Sequence, residues 1–194
     1  MESRIQGQRK ARISFLGDVS TRAIVVGVLL GVLMPVLQQV TERIDTLLFG
    51  GAYTVFGIIV ANTIGFIAVA SFGFVAGLIA EEINPFIGVA TGTSPVAVFF
   101  FFTNAAQVIG LRLMQVMLGK TASQLTYKDA MYMSLFATFL NTLVFLPVQL
   151  FYLQLPWVAI IPLTIVNYLT GALIPPFIGL PVVRALIRAG LVRG

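Results

Sequence analysis

Charged side chains divide this chain into four long apolar blocks. Residues 23–40, 46–80, 83–111 and 130–183 contain no Asp, Glu, Lys or Arg, and the last block runs for 54 residues. A helix of about 20 apolar residues crosses the roughly 30 Å hydrocarbon core of a bilayer, so each block is long enough to span one. The first predicts a crossing over about 23–40, ended by Thr41-Glu42-Arg43-Ile44-Asp45. As one helix, residues 46–80 would measure roughly 50 Å at 1.5 Å per residue, too long for a single crossing. Glycines at 50, 51, 57, 65, 73 and 77 allow a break. The expected halves are 50–64 and 66–80, with the turn near Asn62-Thr63-Ile64-Gly65.

The turn formers Glu81-Glu82-Ile83-Asn84-Pro85 and Thr91-Gly92-Thr93-Ser94-Pro95 then predict a non-helical outer loop. A fourth helix is expected over 95–118 and a fifth over 130–153, after the polar link 119–129. Leu155-Pro156-Trp157 turns the chain into a sixth over 157–183, bent at Pro162 and at Pro175-Pro176. The predicted fold is all-α: a polytopic membrane protein, one compact bundle of six transmembrane helices over 1–194, with 1–22 as a basic arm.

Charge orients the bundle. Arg4, Arg9, Lys10, Arg12 and Arg22 outnumber Glu2 and Asp18 in the arm, and Arg184, Arg188 and Arg193 follow the last apolar block. The start resembles that of a signal peptide, but the long apolar run behind it lacks a clear small-residue cleavage site and reads as a retained helix. Six crossings put both basic ends, with Lys120 and Lys128, on one side, which the positive-inside rule makes cytoplasmic. Five crossings would separate them. Arg112, inside the fourth helix, is expected to snorkel to the cytoplasmic face. The expected location is the cell membrane, with the lipid bilayer as a partner and no nucleic acid, because the +5 charge sits at the ends of apolar runs.

Composition narrows the chemistry. The chain is 58% hydrophobic and 10% charged, with a mean hydropathy of +0.99. It has no cysteine and no histidine, which removes thiolate chemistry, disulfides, the usual haem and zinc ligands and the commonest general base. No catalytic residue, metal or cofactor is expected, and the chain does not read as an enzyme. Asp18, Glu42, Asp45, Glu81, Glu82 and Asp129 all fall outside the apolar blocks. No carboxylate is therefore expected at mid-membrane, and uphill transport would draw its energy from a partner.

The polar interruptions are the candidate functional groups. Asn104, Gln107, Asn141, Gln149, Asn167 and Tyr168 lie on helices four to six, and Asn62 lies in an earlier apolar run. A buried amide costs a few kcal/mol unless it is hydrogen-bonded, so these groups suggest either interhelical bonds or a polar pocket. Glu81, Glu82, Asn84, Thr93 and Ser94 are expected beside it in the outer loop, where adjacent acids would favour a cationic ligand. Trp157 and Tyr152 flank the last hairpin as an aromatic belt or a stacking lid. Ala23, Gly27 and Gly31 form a stripe of small residues that admits another helix closely, either within the bundle or on a partner.

These features together resemble the substrate-binding S components of energy-coupling factor (ECF) transporters. The similarity is carried by the basic arm, the Ala23, Gly27, Gly31 stripe and six helices in under 200 residues. It continues in the glycine-rich stretch from Phe49-Gly50-Gly51 to Gly77, in Asn84-Pro85, and in Ile161-Pro162-Leu163-Thr164-Ile165-Val166-Asn167 before Arg184 and Arg188. The resemblance implies capture of a vitamin or similar organic micronutrient from outside. Its site would comprise Glu81, Glu82, Asn84, Thr93, Ser94, Asn104, Gln107, Asn141, Trp157, Asn167 and Tyr168. Ala23, Gly27 and Gly31 would dock on a transmembrane coupling subunit powered by ATPase subunits, and the protein would topple to release its substrate. Two alternatives are a non-transporting assembly subunit of a membrane complex and a stand-alone small-solute carrier.

Overall fold

The computed structural model describes residues 13–50, 53–92 and 96–192. They form seven α-helices: α1 Thr21–Phe49, α2 Val55–Phe72, α3 Phe74–Thr91, α4 Ala97–Leu118, α5 Tyr127–Pro147, α6 Trp157–Leu173 and α7 Pro175–Arg188. A π-helical turn, Val148–Tyr152, prolongs α5, and no strand occurs among the described residues. Taking α6 with α7 and α5 with its π turn, six helices are long and apolar enough to cross a membrane. The protein is a multi-pass membrane protein built as a six-helix bundle. Arg22, Lys120, Lys128, Arg184 and Arg188 lie at one end of it, here called the basic end.

α2 is the axis of the bundle. It packs against α1, α3, α4, α6 and α7, and residues 62–70 are buried without interruption. A helix apolar on every side belongs at the centre, and its glycines and alanines let neighbours approach on all faces. The expected turn at Asn62-Thr63-Ile64-Gly65 is therefore corrected: these residues are mid-helix, and the break falls at Gly73. Gly73 has φ +97°, a conformation that side chains with a Cβ rarely adopt. Gly17 of the arm, at φ +76°, presses against it so closely that a Cβ on either would collide with the other.

The arm answers the main-chain groups released by this break. Asp18 N–H donates to the Phe72 carbonyl at 2.7 Å and Val75 N–H to the Leu16 carbonyl at 3.3 Å. Arg112 completes the clasp from α4. It is 4% exposed and does not snorkel; its guanidinium donates to the carbonyls of Ser14 and Phe15 and to Gln115 Oε1. Gln115 Nε2 in turn donates to the Ala70 carbonyl near the end of α2, at 3.2 Å.

The second correction concerns residues 81–85, which lie inside α3 and not in a loop. Pro85 has no N–H for the carbonyl of Glu81, and in water that loss commonly ends a helix. Here Asn104 Nδ2 on α4 supplies the donor at 2.9 Å. The device recurs between α2 and α6. Pro175 leaves the Gly171 carbonyl without its i+4 partner, and Asn62 Nδ2 fills the place at 2.9 Å. α1 also outlasts its apolar block, because Asp45 (1% exposed) accepts from Phe56 N–H and Gly57 N–H, both at 3.0 Å, and so caps α2.

The small-residue stripe faces inward. Ala23, Gly27 and Gly31 are buried against Ala76 and Ala80 of α3, where an added Cβ would stand 2.8 Å from the Ala76 carbonyl oxygen at Gly27 and 2.9 Å from that of Ala80 at Gly31. The expectation that this stripe docks on a partner is overturned: α3 already occupies it. Gly31→Leu is expected to separate α1 from α3 and to lower the thermal unfolding temperature of the isolated chain. The cost is on the order of 1–3 kcal/mol, as for other overpacked contacts. Unchanged unfolding in detergent would show that the α1–α3 contact is not needed for the fold.

Candidate functional site: an acceptor-rich cavity

The helix irregularities surround a cavity of about 570 Å³ between α1, α2, α3, α4, α5 and α6. Thr54, Val96, Leu153 and Leu155 mark its mouth, at the end of the bundle opposite the basic end. Its floor is formed by Asn62, Thr138 and Asn167. Asn62 is eight residues along α2 from Thr54, so the cavity reaches roughly 12 Å into the bundle at 1.5 Å per residue.

Seven amides stand in the wall: Gln38, Asn62, Asn84, Asn104, Asn141, Gln149 and Asn167. Their hydrogen bonds determine what the cavity offers. Asn62, Asn104 and Asn141 each give their amide nitrogen to a main-chain carbonyl, of Gly171, Glu81 and Thr103 respectively. Each keeps its amide oxygen, an acceptor, and its second N–H. Gln38 Oε1, Thr138 Oγ1 and Asn167 Oδ1 are buried and have no hydrogen-bond partner among the described residues. Among the described residues, Glu42 is the one charged side chain in the lining, and no Lys or Arg joins it. Among the described residues, the buried side-chain atoms of the wall that lack a partner are oxygens, and a single carboxyl joins them, which suits a solute rich in N–H or O–H donors, neutral or cationic.

The residues singled out from sequence are distributed unevenly around this cavity. Asn84, Asn104, Asn141 and Asn167 line it. Gln107 is buried on α4 nearer the basic end and is not part of the wall. Tyr168 also lies off the wall, its hydroxyl donating to the Leu135 carbonyl at 3.3 Å. Trp157 opens α6 at 57% exposure, outside the cavity, as a belt residue would be. Glu81 and Glu82 sit in the middle of α3 and are absent from the lining, so an outer-loop position is corrected for both. Thr93 and Ser94 lie outside the described residues.

Sequence reasoning passed over Gln38 and the threonines of the wall, and placed Glu42 in the segment that ends the first crossing. Gln38 and Glu42 are four apart on α1, a spacing that puts both on one helix face, and this was the available signal. Comparison with family models, with curated proteins and with solved structures gives no match to this chain.

The cavity and the packed layer next to it respond differently to added volume. Ala61 borders the cavity, so Ala61→Phe has space to enter and is expected to leave thermal stability nearly unchanged. At Gly171 an added Cβ would stand 2.5 Å from Asn62 Nδ2. Gly171→Leu is expected to break the Asn62 bond and to cost about 1–3 kcal/mol in a denaturation series. Equal losses in the two variants would argue that the cavity is closed in the membrane.

Proposed function

We propose that this protein captures a small, donor-rich organic solute in the cavity between its helices, as the substrate-binding part of a nutrient importer. The observation that carries the reading is the set of acceptors in the wall. Gln38, Thr138 and Asn167 hold buried oxygens that no group among the described residues satisfies, and a membrane interior leaves such groups unpaired only at a substantial cost. A solute or the waters it displaces would complete them. The positive-inside rule assigns the basic end to the cytoplasm, which turns the cavity mouth to the outside of the cell membrane.

The resemblance to ECF S components supports the same role, binding a vitamin-like micronutrient for import driven by a coupling subunit and ATPase subunits. Such a partner would meet a surface other than the Ala23, Gly27, Gly31 stripe, which α3 covers. A self-sufficient carrier is the second reading, favoured by Glu81 and Glu82 within a membrane helix. In either case the role is binding and passage, not catalysis.

Small molecules released by denaturing the purified chain, identified by mass spectrometry, test the proposal. A donor-rich compound of vitamin size is expected. Its affinity should fall about tenfold in Asn141→Leu or Asn167→Leu, since a hydrogen bond lost at a buried site costs about 1–3 kcal/mol. An empty preparation, with no thermal shift across panels of vitamins, amines and polyols, would refute it.

A further inference from the structure

A second polar layer lies one helical turn beneath the cavity. Asn84 and Ala61 line the cavity, and one turn toward the basic end on the same helices stand Glu81 and Gly65. The Glu81 side chain crosses from α3 to α2 at this level. A Cβ on Gly65 would collide with Glu81 Oε1 and stand 2.9 Å from its Cδ, so the glycine leaves the space that the carboxyl fills. Glu81 is 2% exposed and its Oε1 has no hydrogen-bond partner among the described residues. Both carboxyl oxygens of Glu82 are likewise buried without a partner.

Charged groups on the surrounding helices do not neutralise this layer. α2 carries no titratable side chain. On α4, Arg112 is held by the carbonyls of Ser14 and Phe15 and by Gln115. On α1, Arg22 is at the basic end and bonds the Gly190 carbonyl, whereas Glu42, Arg43 and Asp45 are near the opposite end. Asp18 of the arm sits beside the α2–α3 break, eight residues of α3 away from Glu81, or roughly 12 Å of rise. Among the described residues, the ion pair that does form joins Lys120 to Asp129.

An ionised carboxylate inside a membrane helix, with neither a cation nor a donor beside it among the described residues, is among the least favourable arrangements a bundle can hold. We propose that Glu81 is a proton-binding site and that its proton is coupled to occupancy of the cavity above it. The connection is short. Asn104 reaches from the cavity wall to donate to the Glu81 carbonyl, and Asn84 stands one turn above Glu81 on the same helix. A solute that engages either amide pulls on the main chain that carries the carboxyl. Glu82, next in sequence, adds a second acid whose ionisation opposes that of Glu81. The coupling rests on the solute-binding reading; the proton site does not.

Infrared difference spectra of the full chain in lipid vesicles, titrated from acidic to alkaline buffer, read the carbonyl stretch of a protonated carboxylic acid directly. A band that disappears during the titration is expected, absent from Glu81→Gln and retained in part in Glu82→Gln. An unchanged band in Glu81→Gln overturns the site. Should that variant fail to fold, Gly65→Ala displaces the carboxyl and must shift the band; an unshifted band has the same consequence. Replacing sodium with choline in the buffer leaves a proton site unaltered, and a band that appears only without sodium overturns the proton in favour of a metal cation. Ala61→Phe fills the cavity without any ligand, so a midpoint unmoved in that variant defeats the coupling alone. Failure to find a co-purified solute bears on the binding reading and leaves these spectra independent of it.

Discussion

Main-chain N–H and C=O groups that lose their helical partner inside a bilayer have no water to turn to, and this bundle is organised around meeting that demand. Pro85 frees the Glu81 carbonyl and Asn104 takes it up; Pro175 frees the Gly171 carbonyl and Asn62 takes it up. The α2–α3 break at Gly73 is met by the arm, by Gln115 and by Arg112, which ties the arm to α4. Asp45 meets the first N–H groups of α2. Side chains that look scattered along the sequence are thus placed where the backbone departs from an unbroken helix.

The same requirement shapes the cavity. An asparagine that donates its amide to a neighbouring helix keeps its oxygen for the other side. Asn62, Asn104 and Asn141 all do so around one space, and that space is lined with polar groups as a consequence of how the bundle is held together. Structure and binding chemistry therefore share residues here. The small side chains contribute differently: Gly27 and Gly31 bring α1 onto α3, and Gly65 admits the Glu81 carboxyl between α2 and α3.

Much of the fold was legible from apolar block length and charge alone. Six crossings, one basic end and the bend at Pro175-Pro176 follow from the spacing of charges and prolines. The amides of helices four to six were legible as a group because amides are scarce in apolar sequence. What misled was the vocabulary of turns. Asn-Thr-Ile-Gly and Glu-Glu-Ile-Asn-Pro signal chain reversal when water can solvate the released groups. Inside lipid, a donor on a neighbouring helix keeps such a segment helical. For that reason α3 runs through Glu81 and Glu82, and two carboxyls expected at a surface are in the middle of a span.

By itself, the sequence determined that the chain belongs in a membrane, the number of crossings and the end at which the arginines and lysines gather. Those properties depend on composition summed along each segment, and no knowledge of neighbours is needed to sum it. Only the tertiary structure decided that the helix break is at Gly73, that the glycine stripe of α1 is occupied by α3, and that Gln38 and Glu42 join the amides around one cavity. Each of these depends on which helix lies opposite which. In a membrane interior that choice is made by close packing and by the pairing of individual donors with individual carbonyls, information that no single segment carries.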